Sequence, residues 1–309
     1  MDWRKKISAE ESGSHFRYNA DWVRKMNEAV AWIENHLDED MDFSEAARIA
    51  RCSVYHFQRF FSWLAEIPLS EYIRRRRLTR AAFDLQNSDA KVIDVALRYG
   101  YESPEAFARA FKNIHGITPS EAKVSGARLK AWPCIAFHIS IKGEEAMNYR
   151  IVHKEAMEMF GVTTEVSTVD NQNFVTVPQF WEICRTDGTM ARIREAGVLD
   201  ETTPLHAAMY NCTDTSHTYM IGYFVPDSGV PEEFTALGIP ARMWAVFTSE
   251  ESGMEEVARQ ATVMWKRIFT EWFATSGYEL ANAPELELHH KKGEGQYVAE
   301  IWVPIVNKQ

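Results

Sequence analysis

Around Lys130 the apolar residues change period, from about 3.6 upstream to 2 downstream, so helices are expected before this point and strands after it. At 309 residues the chain is about twice the usual domain size, which fits one domain on each side of the change. The net charge of −10 hides a second asymmetry. Residues 1–130 hold 21 Lys and Arg against 19 Asp and Glu, a balance of +2, leaving −12 for the remainder. A near-neutral half joined to an acidic half suggests two tasks on one chain. No apolar run approaches the roughly 18 residues of a membrane helix, and the N-terminus shows no apolar leader. Cys52, Cys134, Cys184 and Cys212 are dispersed without a CxxC pair, so a reducing, cytoplasmic location without membrane contact is expected.

The first half reads as successive helices. Val23, Met26, Val30, Ile33 and Leu37 recur every three or four residues, the stripe of an amphipathic helix. Asp42, with Glu45 three residues on, resembles a capping box. Ser53 is placed to cap a helix over 54–64, Ser70 one reaching about residue 85, and Ser103, followed by Pro104, one over 104–114. Turns at Arg51-Cys52 and Gly100-Tyr101 then define two helix–turn–helix units. The helix between them would span about 25 Å. That length can hold two recognition helices near the ~34 Å separation of successive major grooves. Tyr55, Gln58 and Arg59 fall on one face of the first recognition helix, with Phe57, Phe60 and Phe61 on the other. Gln and Arg make bidentate contacts with adenine and guanine edges. Arg74, Arg75, Arg76, Arg77 and Arg80 are expected to neutralise phosphates.

The second half alternates short β-branched and aromatic stretches (135–141, 149–153, 206–211, 219–225, 242–247, 285–289 and 297–303) with helical patterns at 179–195 and 254–274. It also repeats itself. The run from Tyr219 to Pro226 aligns without a gap on the run from Tyr297 to Pro304. Each closes a strand–helix–strand–strand unit, so two such units should share an antiparallel sheet, carry two helices on one face and leave a groove between them.

The stretch Lys91-Val92-Ile93-Asp94-Val95-Ala96-Leu97-Arg98-Tyr99-Gly100-Tyr101-Glu102-Ser103-Pro104, continuing through Phe107 and Phe111 to Gly116-Ile117-Thr118-Pro119, closely resembles the signature of the AraC/XylS transcription regulators. The run from Ser53 to Phe61 and the connector after Pro68 resemble the same family in register. The resemblance implies a seven-helix domain with both recognition helices in the major groove of double-stranded DNA. Carried over by position, Tyr55, Gln58 and Arg59 form the first base-facing set, and Glu105, Ala106 and Arg109 the second, with Arg76 on the backbone. Arg51 stands where many relatives have Gly, so a left-handed backbone there is expected at a small cost. Pro104, Glu105, Ala106 and Ala108 are poor donors, so the second unit should read few bases.

From about residue 131 the chain resembles the GyrI-like small-molecule-binding domain. The likeness is carried by Pro178-Gln179-Phe180-Trp181, by Ile239-Pro240-Ala241-Arg242-Met243-Trp244 and by Glu300-Ile301-Trp302-Val303-Pro304. It implies a groove for bulky cationic or aromatic compounds with a buried glutamate among aromatic rings. The repeat points independently to Glu300, which replaces Gly222 inside an apolar strand, where a carboxylate is costly unless paired, protonated or facing a cavity. Glu287 is the weaker candidate, because plain in–out alternation explains it. Trp181, Tyr223, Trp244, Tyr278 and Trp302 are the candidate walls. No metal-ligand spacing, phosphate loop or cofactor motif is present in the sequence.

The expected architecture is multidomain: residues 1–20 an extension, 21–124 an all-α double helix-turn-helix domain, 125–147 a linker and first strand, and 148–309 an α+β domain with duplicated βαββ units. The expected function is a non-enzymatic, sequence-specific transcription regulator, an activator that engages RNA polymerase under control of a small-molecule effector. The alternatives are a ligand hydrolase using Glu300 with Tyr223 or Tyr278, and an acidic module binding a basic partner.

Overall fold

The computed structural model describes residues 9–124, 126–138, 146–168, 172–213, 215–230 and 232–308. They fall into two compact units, one of residues 21–138 and one containing 146–308.

The first unit is helical. Among the described residues it holds α1 (Ala9–Asn35) from residue 21 onward, α2 (Phe43–Ala50), α3 (Val54–Ala65), α4 (Leu69–Asn87), α5 (Val92–Arg98), α6 (Pro104–His115) and α7 (Pro119–Ala122). Ser53 and Ser103 accept the N–H groups of His56 and Ala106, so α3 and α6 are capped as their sequences predict. Asp42 caps α2 through Ser44, but Glu45 turns to Arg48, and the reciprocal capping box forms instead at Thr118 and Glu121. Ser70 lies inside α4, which starts after Pro68 without a side-chain cap. Arg51 takes the left-handed conformation (φ 55°, ψ 45°), and its N–H returns to the carbonyls of Ala47 and Arg48. A non-glycine residue there costs about 1–2 kcal/mol.

Residues 131–138 belong to this unit, and the strand expected from 135 is absent over 135–138; residues 139–141 lie outside the described residues. The physical reason is that polar side chains of the helices take the backbone groups a sheet would need. Thr79 Oγ1 accepts the N–H of Trp132 at 3.2 Å, and the Tyr72 hydroxyl accepts that of Ile135 at 3.3 Å. Asn27 binds Phe137 twice, accepting its N–H at 2.7 Å and donating to its carbonyl at 3.0 Å. Phe137 is buried edge-on against Phe61. Beneath this strap lies a buried carboxylate. Arg76 clamps Glu34 with Nε and Nη2, each at 2.8 Å, and the Tyr72 hydroxyl donates to the same carboxylate at 2.8 Å. Arg76 Nη1 also donates to the Trp132 carbonyl.

The second unit is one antiparallel sheet. Its strands are β1 (Tyr149–Lys154), β2 (Met157–Ser167), β3 (His206–Tyr210), β4 (Ser216–Phe224), β5 (Thr235–Ile239), β6 (Arg242–Thr248), β7 (Tyr278–Leu280), β8 (Glu285–Gly293) and β9 (Gln296–Asn307). Their order is β1-β6-β9-β8-β3-β4-β2-β5, with β7 on β9. Exchanging β1 with β5, β6 with β2, β9 with β4 and β8 with β3 reproduces that order, so the duplication is a pseudo-twofold axis between β3 and β8. The sequence pattern missed β2, β5 and β7. In β2 the residues Met159, Phe160 and Gly161 are buried in succession, because both faces are covered and the alternation is erased.

Directly opposed residues of an antiparallel pair share a face. One face bears α8 (Asn173–Thr186) and α10 (Met254–Arg267). Trp181 of α8 donates to the Tyr219 hydroxyl, and Trp265 of α10 to Glu287. The helix expected over 179–195 is broken at Gly188 (φ 83°) into α8 and α9 (Thr189–Ala196), and Pro178 lies within α8 instead of opening it. The one expected over 254–274 passes through a π-helical turn, Ile268–Trp272, into α11 (Phe273–Thr275). The other face closes on itself. Links of two residues join β1 to β2 and β5 to β6. Leu237 and Ile239 of one edge therefore enter the same buried cluster as Trp244 and Val246 near the other.

Candidate functional site

Each helix–turn–helix unit buries one face of its second helix. In α3, Val54, Phe57, Phe60 and Phe61 are buried, and Tyr55 is buried with them at 3% exposure. Tyr55 is therefore removed from the first base-facing set, while Gln58 and Arg59 keep partial exposure. The Arg59 guanidinium lies 4.5 Å from the Trp63 ring and 5.8 Å from the Tyr55 ring, which hold it along the helix. In α6, Phe107, Phe111 and Ile114 face the core. Glu105 and Arg109 are exposed and Ala106 is half-buried on the opposite side.

The arginine run corrects a second expectation. Arg76 is only 12% exposed and fully engaged with Glu34, so it is a structural clamp and is not free to contact phosphate. Arg74 and Arg75 hold Glu71, and Arg77 donates to the carbonyls of Leu37 and Glu39. Burial would raise the Glu34 carboxyl, but hydrogen bonds from Arg76 and Tyr72 outweigh it and hold it below the usual range.

In the sheet unit the six predicted ligand residues do not converge. Glu300, Trp302 and Trp244 share the apolar face. Glu300 Oε1 sits 2.8 Å from Arg150 Nη2, and its Oε2 accepts from Trp302 Nε1 at 2.9 Å with His290 at 3.6 Å. Burial raises this carboxyl, yet the bonds from His290, Arg150 and Trp302 prevail and bring it down to about 2. Glu300 is thus a satisfied ion pair. Trp244 is fully buried edge-on to Trp302. Tyr223 stacks on the buried His206 at 4.5 Å. Tyr278 stacks on Trp272 of the π-helical turn, 5.8 Å away, and Trp181 lies on the helix-bearing face.

Near the pseudo-twofold on that helix-bearing face, a different carboxylate gathers the rings. Glu287 Oε2 accepts from Trp265 Nε1 at 2.8 Å, and its Oε1 lies 3.0 Å from His289 Nε2. The His289 ring is 6.2 Å from that of Trp181, whose indole donates to Tyr219 at 2.9 Å. Burial, and next the charge of Glu287, push the Tyr219 hydroxyl far up. Trp265 in turn stacks on Phe269. Each copy's helix therefore sends one tryptophan toward a single half-buried carboxylate. Sequence reading set Glu287 aside because alternation explained it. The available signal was which face the alternation pointed to: Glu287 faces the helices.

The comparisons with known proteins agree with this two-part organisation. Residues 150–305 match the family of integron-associated effector binding proteins, and residues 46–123 match a helix-turn-helix domain family. The HTH-type transcriptional activator AarP of Providencia stuartii is 35% identical over 120 residues, covering 39% of this chain and 87% of AarP. The regulatory protein SoxS of Escherichia coli is 32% identical over 96 residues, covering 31% of this chain and 90% of SoxS. The chain belongs to the AraC/XylS family. Among solved structures, an integron cassette protein from Vibrio cholerae superposes with a TM-score of 0.36 at 12% identity, covering 51% of this chain and 95% of that one.

As an AraC/XylS regulator with an effector-binding domain, the protein is a DNA-binding transcription regulator under ligand control. The residues that match the helix-turn-helix family run from within α2 to the end of α7 and contain both α3 and α6. Among the described residues no cluster of His, Cys, Asp or Glu could hold a metal, and no helix is long and apolar enough to cross a membrane.

Proposed function

We propose that Gln58 and Arg59 of α3 read bases in the major groove, that α6 through Glu105, Ala106 and Arg109 mainly positions the second unit, and that Glu287 is the charge at the centre of the effector site. The observation that carries the ligand assignment is that Trp265 and His289 bind Glu287 directly, while Trp181, hydrogen-bonded to Tyr219, lies against His289 beside them. A half-buried carboxylate beside aromatic rings suits a cation with an aromatic or apolar body, and a ring that turns its face to the cation adds roughly 0.5–2 kcal/mol. The protein then acts as a cytoplasmic activator, as its relative AarP is named, recruiting RNA polymerase without catalysing a reaction of its own. A hydrolase built on Glu300 is disfavoured, since that carboxylate is tied to Arg150 and Tyr278 lies on the opposite face.

Two titrations of the full chain test this reading. Arg59→Ala should weaken the cognate site by about 1–3 kcal/mol and relax one base position, whereas equal loss on all sequences would remove α3 as the reader. Glu287→Gln should weaken a quaternary benzylammonium ion at least tenfold and its uncharged isostere little, and equal losses for both would remove Glu287 as the charge selector.

A further inference from the structure

The apolar face of the sheet ends in a feature that neither the duplication nor the effector reading requires. Lys154 and Arg242 are direct cross-strand partners on β1 and β6, two like charges side by side on one face. Such a pair is destabilising unless something neutralises it. Neither side chain has an ion-pair or hydrogen-bond partner among the described residues, although this half of the chain carries 25 acidic residues against 13 basic ones. Glu155 follows Lys154 directly and pairs with neither.

Unsatisfied donors lie next to these charges. Arg242 Nε is buried without an acceptor. One same-face pair further along β1–β6 stands Trp244, opposite Val152; it is 0% exposed, and its indole N–H also lacks an acceptor. A buried donor left unmade costs about 1–3 kcal/mol. Lys154 Nζ is held 5.8 Å from the ring of Trp302, itself packed on Trp244. Half-buried Val152 and Met157 supply apolar surface beside them. By the pseudo-twofold, Trp244 corresponds to Met157, and extending the register by one step sets Lys154 and Arg242 against Ala241 and Glu155.

We propose that the Lys154–Arg242 end of this face binds an oxyanion, carboxylate or phosphate, carried on an apolar body. Two cations, an indole N–H and the Arg242 Nε–H are all donors, which is the complement of an oxyanion's acceptors. The apolar body rests on Val152 and Met157. The site extends the effector-binding reading to a second place and the opposite charge, on the other face of the sheet from Glu287.

The test titrates the full chain with benzoate, phenyl phosphate, inorganic phosphate and the neutral benzamide. Benzoate or phenyl phosphate should bind at least tenfold more tightly than benzamide, and whichever is stronger tells carboxylate from phosphate. Lys154→Met and Arg242→Met should each lower that affinity at least tenfold. Without ligand, both variants should melt at or above the wild-type temperature, because the like-charge contact is gone; a merely structural role for the pair predicts a lower one. Absence of oxyanion binding, equal affinity for benzamide, or equal affinity in the Lys154→Met/Arg242→Met double variant overturns the proposal. Benzylammonium binding measured in the same variants should be unchanged, so failure of the Glu287 reading and failure of this one are read separately.

Discussion

The two ends of the duplicated sheet follow one plan and differ in chemistry. At one end Arg150, Thr248, His290 and Glu300 stand together; at the pseudo-equivalent positions of the other stand Leu237, Gly161, Ala208 and Gly222. The charged end uses side chains to tie four strands, β1, β6, β9 and β8. The other brings its backbones so close that no side chain fits: a Cβ on Gly222 would lie 2.0 Å from the Phe160 carbonyl oxygen, and one on Gly161 2.2 Å from that of Ile221. Duplication conserved the ladder, and each copy closes its outer strands by its own means.

The comparison breaks most sharply at the glycines. Gly222→Ala must push β4 away from β2, since the clash is with backbone and no rotamer relieves it. The expected loss is about 3 kcal/mol or more, at the top of the range for overpacking. Truncation to Ala at the equivalent Glu300 should cost less. Chemical denaturation of the two variants measures the contrast, and equal losses would mean that the close approach is not what fixes the first copy.

A smaller effect separates His206 from its equivalent Leu288. His206 Nδ1 accepts the N–H of His289, extending the β3–β8 ladder through a side chain at the pseudo-twofold. Burial first, and then the charges of His290 and His289, depress its pKa to about 3. A base whose folded pKa is lowered contributes full stability above its unfolded value, and that stability drains as pH falls through the window between about 6.5 and 3. The limit is about 1.4 kcal/mol per unit, or roughly 2 kcal/mol at pH 5. His115 is lowered by burial in the same direction, so the informative quantity is the difference between wild type and His206→Leu. That difference should shrink from pH 7 to pH 5; a constant difference would show that His206 can charge in the folded protein.

What could be read from the sequence was local. Ser53, Ser103 and the left-handed Arg51 act within a few residues, and the repeat is visible because Tyr, Val and Pro recur at fixed offsets. What could not be read was pairing over distance. Arg76 meets Glu34 across 42 positions, and residues 131–138 look like a strand until Tyr72 and Asn27 take their backbone groups. The proposed preference for Glu287 over Glu300 turns on the same kind of distant pairing. Both are charges in apolar strands, and only the fold shows that Arg150, 150 positions away, satisfies Glu300, while Glu287 faces the helices that carry Trp181 and Trp265.

The smallest expected effect decides what the charged end contributes. A groove carboxylate awaiting a cationic ligand should be indifferent to Glu300→Gln in the free protein, or gain stability. The observed geometry predicts the reverse, because the amide cannot offer two acceptors to Arg150 and Trp302 and leaves Arg150 without its counter-charge. Arg150 is 48% exposed, so solvent screens the pair and the loss should be only about 1 kcal/mol. Its pH dependence identifies it. A carboxyl held near 2 in the folded state contributes above its unfolded value of about 4.3, and the contribution is lost as pH falls through that interval. Wild type should therefore exceed Glu300→Gln in stability at pH 6 and lose that lead toward pH 3, with cation affinity unchanged. A variant as stable as wild type at pH 6 would return Glu300 to the list of ligand residues and leave the asymmetry of the two ends without a structural role.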